Sequence, residues 1–169
     1  MAWTSRRSTL AMASIAFAMM SWKPLFNPVP MIIWNASNSV AKGLYWVENR
    51  QPKARDIAVL RPPVWALAIA VQSGYLPKNA WLLKPVAASN GTACRFGTYV
   101  FLDGYIVVKA LKRDKAGRVL PVWNGCKLLR DDEVFVLSKH RDSFDSRYFG
   151  PVNTDLIIGT AKPLIILGK

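Results

Sequence analysis

The sequence has 169 residues, of which 51% are hydrophobic and 20% charged, so it is long enough for one modest domain with a core and too short for two large ones. Its 23 Lys and Arg residues outnumber its 10 Asp and Glu residues, giving a net charge of +13. The basic residues are spread singly from Arg6 to Lys169, without the stripes or stacking aromatics of nucleic-acid-binding proteins. This pattern excludes nucleic acid as an expected partner and favours the anionic surface of a membrane.

The N-terminal residues predict a membrane segment. Arg6 and Arg7 precede an apolar run over residues 10–20, and Lys23 follows it. Positive charge before a short hydrophobic run is typical of an export signal and keeps the N-terminus in the cytoplasm. The run is short, because a helix over residues 8–22 would rise only about 22 Å against a hydrocarbon core of about 30 Å.

Three interpretations of this segment stay open: a signal anchor, a signal peptide cleaved near Ala16 and Ala18, and a buried core helix. We expect the anchor. The three prolines in residues 24–30 end any helix and are typical of a rigid lead-out from the membrane. We therefore expect residues 1–33 to hold a cytoplasmic tip, one transmembrane helix and the lead-out, and residues 34–169 to form an exported domain.

After the lead-out, the sequence predicts a mainly β domain. Seven short runs are rich in Val, Ile, Tyr and Leu and are bounded by Pro, Gly, Asp or Asn. These predicted strands are residues 43–47, 56–60, 81–87, 99–101, 105–108, 133–137 and 156–161. One helix is predicted over residues 64–74, after two prolines and ending at a glycine. Many short strands with one helix predict folded-over sheets or a barrel.

The residues between the two cysteines predict a smaller β-subdomain. Asp103 and Gly104 form a strong hairpin-turn signal between two β-prone runs. We expect this subdomain, about residues 92–127, to be inserted between two halves of the core. Cys94 and Cys126 lack the spacing and the histidines of a metal site, so no metal is expected. In an exported protein such a pair forms a disulfide, whereas in the cytosol two buried thiols are the alternative.

The candidate catalytic groups are a serine and a lysine. The single histidine, His140, lies in a polar stretch typical of a solvated loop, and the usual nucleophile-elbow, metalloprotease and phosphate-loop patterns are absent, so no cofactor is expected. A neutral lysine also activates serine, if an apolar setting lowers the pKa of its amine. Lys84 fits best, because Trp-Leu-Leu precedes it and Pro-Val-Ala-Ala follows it. The same pattern fits an edge strand whose lysine reaches water.

Two segments are distinctive in their order and spacing. The first, NASNSVAKGLYW, covers residues 35–46, directly after the predicted lead-out; the second, SFDSRYFGPV, covers residues 143–152. Together with the strand that bears Lys84 and with Asp-Ile-Ala-Val at residues 56–59, they resemble the type I signal peptidase family. The similarity is greatest to its conjugative-transfer branch, the TraF-type peptidases, and it covers about residues 34–161.

The resemblance implies a fold and a set of site residues. The fold is a signal-peptidase-like folded β-sheet core, with residues 92–127 matching the family's variable second β-subdomain. Ser39 is implied as the nucleophile and Lys84 as the general base. The oxyanion hole is implied to consist of the backbone N–H of Ser39 and the hydroxyl of Ser37. Asp145 and Arg147 are implied to brace the lysine region.

The resemblance also implies a function. It is that of a serine endopeptidase, anchored in the bacterial inner membrane by a single pass with its catalytic domain in the periplasm. Its expected partners are membrane lipid and an exported precursor or conjugative propilin, which it would process by hydrolysis or by cyclisation. The alternative is a membrane-tethered β-domain of a conjugation or secretion apparatus with weak or no catalysis. The sequence departs from the family pattern at Ala41, where a proline is expected, and at Arg55 and Pro85.

Overall fold

The computed structural model describes residues 30–167 and is built mainly from β-strands. The strands are Ile32–Asn35 (β1), Gly43–Glu48 (β2), Ile57–Leu60 (β3), Leu82–Ala88 (β4), Thr92–Phe96 (β5), Tyr99–Leu102 (β6), Tyr105–Lys109 (β7), Gly125–Leu128 (β8), Glu133–Val136 (β9), Val152–Asn153 (β10) and Ile157–Ile166 (β11). The helices are Val64–Gln72 (α1) and Ser146–Phe149 (α2), with a 3₁₀ turn at Thr154–Leu156. The prediction of a mainly β domain is confirmed.

The strands form two antiparallel sheets. The large sheet has the order β1-β2-β11-β3-β4-β9-β10, and the small sheet has the order β7-β6-β5-β8. The four strands of the small sheet are consecutive in the chain and lie between β4 and β9, in the segment for which the sequence predicts an inserted subdomain. The Cys94–Cys126 disulfide joins β5 to β8 at paired positions of the small sheet.

The large sheet is covered on both faces, which explains why its central strands are so apolar. Ala58 and Leu60 of β3 pack on one face with Ala66 and Ala70 of α1. Val59, between them in sequence, points to the other face, where it packs in a second cluster with the alternating residues of β2. A strand buried on both faces reads as a continuous hydrophobic run. The neighbouring strand β4 is buried in the same way, and it carries Lys84 into the interior.

The predicted membrane anchor lies outside the described residues. Within residues 30–167, no helix combines the length and the apolar character that a membrane crossing requires. The described residues begin at Pro30, within the predicted lead-out, and β1 begins at Ile32.

The largest difference from the predicted elements is the length of β11. It continues to Ile166, five residues beyond the predicted run 156–161, because its second half pairs with β2. Gly43 permits this pairing: its φ is 153°, and a Cβ there would overlap the carbonyl oxygen of Ile165. Four strands, β1, β5, β8 and β10, were not predicted, and α1 ends two residues before the predicted position.

Candidate active site

The loop between β1 and β2 carries Ser39, and Asn35 holds this loop in place. The Asn35 side chain is buried, and its Nδ2 donates to the carbonyl oxygens of Ser37 at 2.9 Å and Ala41 at 3.0 Å. The Tyr45 hydroxyl donates to the same Ala41 carbonyl at 2.6 Å. Two side chains therefore fix the backbone at Ala41, where the resemblance led us to expect a proline.

Lys84 reaches Ser39 across the large sheet. Its side chain is buried in β4, with 3% of the residue exposed. Lys84 Nζ lies 2.5 Å from Ser39 Oγ and 2.7 Å from Ser143 Oγ, and the two hydroxyl oxygens are 3.2 Å apart. Ser39 and Lys84, called the Ser-Lys pair from here on, are thus in direct hydrogen-bonding contact although 45 positions separate them in the sequence.

Burial changes the chemistry of the lysine amine. Removal from water lowers the pKa of Lys84 from 10.5 to about 8, while the charge of Asp145 raises it and that of Arg147 lowers it. Desolvation dominates because the charged ammonium loses more hydration than the neutral amine. A substantial fraction of the amine is therefore neutral at mildly alkaline pH, and a neutral amine is able to accept a proton.

Asp145 and Arg147 form a fully buried ion pair next to this site. Arg147 Nε lies 2.7 Å from Asp145 Oδ1 and Arg147 Nη2 lies 2.9 Å from Oδ2, a bidentate arrangement. The ion pair also holds both backbone polar groups of Ser138: Asp145 Oδ2 accepts its N–H at 3.0 Å, and Arg147 Nη2 donates to its carbonyl at 2.5 Å. These bonds satisfy charges whose burial would otherwise be unfavourable.

Ser138 links this ion pair to the backbone at Ser39. Its Oγ donates to the carbonyl oxygen of Ser39 at 2.6 Å, across 99 positions of sequence. The buried ion pair therefore acts on the serine of the Ser-Lys pair through one intermediate residue. The sequence predicted a bracing role near the lysine; the structure adds this contact on the serine side.

The two predicted oxyanion donors lie next to each other on the loop. The Ser39 N–H points at Ser37 Oγ, 3.4 Å away, and the Ser37 hydroxyl donates to Asn35 Oδ1 at 2.8 Å. Ser37 is exposed and Ser39 is half-buried, and both residues line the adjoining cleft.

A cleft of about 620 Å³ adjoins the Ser-Lys pair. Its walls are mainly apolar and include Leu76, Trp81, Leu111, Leu120, Phe144 and Tyr148. At its polar end, the Tyr75 hydroxyl donates to Asp114, and Arg118 Nε donates to the same carboxylate at 2.6 Å. Arg118 also donates to the carbonyl of Ser73 at 2.7 Å, which ties the loop between β7 and β8 to the end of α1.

Sequence reasoning did not assign Ser143, Ser138 or Asn35. Ser143 is the first residue of the late SFDSRYFGPV segment. Membership of that segment was the only feature of the sequence that pointed to it, because a serine hydroxyl in a polar stretch has no distinctive neighbours.

His140, expected in a solvated loop, lines the cleft, and its backbone N–H donates to Ser138 Oγ at 3.1 Å. Within residues 30–167, no group of three His, Cys, Asp or Glu side chains is close enough to hold a metal ion.

Comparison with known proteins gives a consistent result. Residues 4–166 match the family described as "Signal peptidase, peptidase S26". The chain is 30% identical to the "Plasmid transfer protein TraF" of Escherichia coli over 143 residues, which are 78% of this chain and 81% of that protein. It is 32% identical to the "Conjugal transfer protein TraF" of Agrobacterium tumefaciens (strain 15955) over 141 residues, 77% of this chain and 80% of that protein. The chain belongs to the signal peptidase family, peptidase S26, and within it is similar to TraF-type transfer proteins.

Proposed function

We propose that this protein is a serine endopeptidase in which Ser39 is the nucleophile and Lys84 the general base. The observation that carries the proposal is the 2.5 Å contact between Lys84 Nζ and Ser39 Oγ in a buried site. Family membership supports a peptidase role, and the names of the TraF-type relatives support a role in conjugative transfer.

The chemistry follows from the positions of these groups. The neutral Lys84 amine takes the hydroxyl proton of Ser39 as Ser39 Oγ attacks the peptide carbonyl carbon. The oxyanion that forms is bound by the Ser39 N–H and by the Ser37 hydroxyl, which turns away from its present acceptor. Lys84 then gives its proton to the leaving amine, and an acyl-enzyme remains. Water, or an amino group of the substrate itself, then attacks the ester carbonyl carbon; Lys84 takes the proton of that second nucleophile and gives it to Ser39 Oγ as the ester C–O bond breaks.

The exposed apolar side chains support attachment to a membrane. Around the start of the described chain and the end of β11 lies a set of large exposed hydrophobic residues: Met31, Ile32, Trp34, Trp46, Leu164, Ile165 and Ile166. This set, the apolar edge, begins one residue after Pro30, the last proline of the predicted lead-out. In the proposed arrangement the apolar edge rests on the periplasmic face of the bacterial inner membrane, and the cleft, which includes Trp34, opens beside it.

This placement favours a substrate that is itself tethered to the membrane. The proposed substrate is an exported precursor, and the names of the relatives favour a propilin of a conjugation system. An extended segment of such a precursor would lie in the apolar cleft, with its scissile carbonyl at the Ser-Lys pair.

The test is processing of a propilin encoded beside the gene, co-expressed with the full-length protein in membranes. Ser39→Ala and Lys84→Met are each expected to slow the appearance of the mature subunit by roughly a thousandfold or more. Lys127→Met, an exposed lysine of the small sheet, is the matched control and is expected to process normally. Normal processing by Ser39→Ala would refute the proposal. A wild-type protein that is folded but leaves every neighbouring precursor intact would favour the alternative, a β-domain without catalysis.

A further inference from the structure

Arg95, in β5 of the small sheet, is buried without an anionic partner. Only 1% of it is exposed, and the ion pairs formed within residues 30–167 do not include it. Its guanidinium donates to three carbonyl oxygens instead: Gly97 at 3.0 Å, Pro121 at 3.2 Å and Arg147. A buried unpaired cation is costly, and a Leu or Met side chain would fill the same space. Packing alone therefore does not explain an arginine here.

The hydrogen bond from Arg95 to α2 replaces a backbone hydrogen bond that the sequence makes impossible. In a helix, the carbonyl of Arg147 would accept from the N–H four residues later, but that residue is Pro151, which has no N–H. Arg95 supplies the missing donor. The next carbonyl toward the N-terminus, that of Ser146, accepts from Trp123 Nε1 at 3.0 Å. Two side chains from the segment that holds the small sheet thus bind two consecutive carbonyls of α2.

α2 in turn determines where the site residues lie. Asp145 caps its N-terminus, accepting the Arg147 N–H at 3.2 Å, so the buried ion pair is part of this helix. That ion pair fixes Ser138, which contacts the carbonyl of Ser39. Ser143, two residues before the cap, contacts Lys84. A continuous set of hydrogen bonds therefore runs from the small sheet to both members of the Ser-Lys pair.

We propose that Arg95 and Trp123, together the α2 clamp, are positioning residues that hold the Ser-Lys pair in its reactive geometry by fixing α2. The proposal rests on the proposed function, since it assigns the small sheet a part in the same reaction. It gives the disulfide a role as well, because Cys94 precedes Arg95 and bonds to β8, three residues after Trp123.

The experiment uses the full-length protein in detergent and needs no natural substrate. The first readout is the titration of the Lys84 amine, followed by NMR of ¹³C-labelled lysine and assigned with Lys84→Met. The second is the rate at which p-nitrophenyl acetate acylates Ser39, measured by mass spectrometry with Ser39→Ala as the blank. The charged groups that act on Lys84, Asp145 and Arg147, are unchanged in every clamp variant. So are the titratable and charged groups that share its cleft: Tyr75, Asp114, Lys115, Arg118, His140, Asp142 and Tyr148.

Four variants separate a positioning role from a structural one. Arg95→Met and Trp123→Phe each remove clamp donors and keep most of the side-chain volume. Both are expected to slow Ser39 acylation roughly ten- to hundredfold and to raise the Lys84 midpoint by about one unit as water reaches the amine. Arg95→Lys, which keeps one donor, is expected to lie between them and the wild type. Arg113→Met removes an exposed arginine whose guanidinium donates to the carbonyl of Gly117 in the same turn, and no change is expected.

The wild-type protein tests the proposed function, and the variants test the α2 clamp. A wild-type protein without Ser39-dependent acylation and with Lys84 titrating near 10.5 would refute the proposed function. A reactive wild type whose folded Arg95→Met and Trp123→Phe variants keep both its acylation rate and its Lys84 midpoint would overturn the clamp alone. If Arg95→Met does not fold, Trp123→Phe and Arg95→Lys decide the question, because each retains most of the packing.

Discussion

Ser143 Oγ accepts a hydrogen bond from Lys84 Nζ at 2.7 Å, and this bond orients the amine toward its other neighbour. A neutral amine has one lone pair. While one of its N–H groups donates to Ser143, the lone pair is free to face Ser39 Oγ at 2.5 Å. Ser143 is thereby a third member of the site, although it carries no charge and is buried.

Removal of this hydroxyl tests its role. Ser143→Ala is expected to lower the rate of Ser39 acylation roughly tenfold, because the lysine amine loses the partner that orients it. The rate is measured with p-nitrophenyl acetate in single-turnover experiments. Ser89→Ala, at the turn after β4 and outside the cleft lining, is the control and should react at the wild-type rate. Equal rates for both variants would show that Lys84 does not need Ser143.

The pH dependence of acylation should follow the Lys84 amine. Burial lowers the pKa of Lys84 to about 8, and only the neutral form accepts the serine proton. The rate is therefore expected to rise with pH, to level off above about pH 8, and to fall about tenfold per unit below it. A profile between about pH 6 and pH 10 measures this midpoint. A rate that stays constant across this range would contradict the role of Lys84 as the base.

The same burial of Lys84 destabilises the folded protein. The unfolded chain holds the lysine proton up to pH 10.5 and the folded chain only up to about pH 8, so the unfolded state binds more protons between these values. The buried ammonium therefore destabilises the folded state by its full amount below about pH 8, and this destabilisation disappears as the pH rises toward 10.5. Lys84→Met is expected to be more stable than the wild type at pH 7, by about 3 kcal/mol. Urea unfolding at pH 7 and near pH 10 should show this advantage shrinking; a constant difference would contradict it.

The buried ion pair should be far more sensitive to mutation than the exposed ones. Asp145→Asn leaves the Arg147 guanidinium buried without its anion, and about 3–5 kcal/mol of unfolding free energy is expected to be lost. Lys115→Met breaks the exposed pair with Asp142, in which the lysine side chain is 84% exposed, and should leave the unfolding free energy nearly unchanged. Thermal or urea unfolding of both variants provides the comparison. Similar losses in the two would mean that Asp145 does not stabilise the fold through its charge.

The sequence predicted the parts of the fold and site that have a local signal. Short runs rich in Val, Ile, Tyr and Leu, bounded by turn residues, indicated most strands of the large sheet, and the apolar neighbours of Lys84 indicated its burial. β1 was not predicted, because its residues directly follow the prolines of the lead-out. β11 was predicted too short, because its second half is exposed and is held by pairing with β2 rather than by its own pattern.

The remaining site residues depend on contacts between distant segments. Ser138 and Ser143 are small polar residues in a polar stretch, and nothing near them in sequence indicates a contact with Ser39 or Lys84. Arg95 is harder still to predict from the sequence, because a lone arginine in a strand is usually solvated. Its buried guanidinium donates to the carbonyl of Arg147, which Pro151 leaves without a backbone donor. Such residues are found only when the tertiary structure is known.

The position of β11 determines when, during synthesis, the large sheet is able to form. Its ten residues lie between β2 and β3, so the two halves of the large sheet are joined only by the last strand of the described chain. Until that strand has left the ribosome, β2 and the Ser39 loop have no continuous sheet connecting them to β4 and Lys84. Late pairing of this kind makes folding slow and leaves earlier strands exposed. The Ser39 loop and Lys84 therefore share one continuous sheet only once synthesis has reached the end of β11.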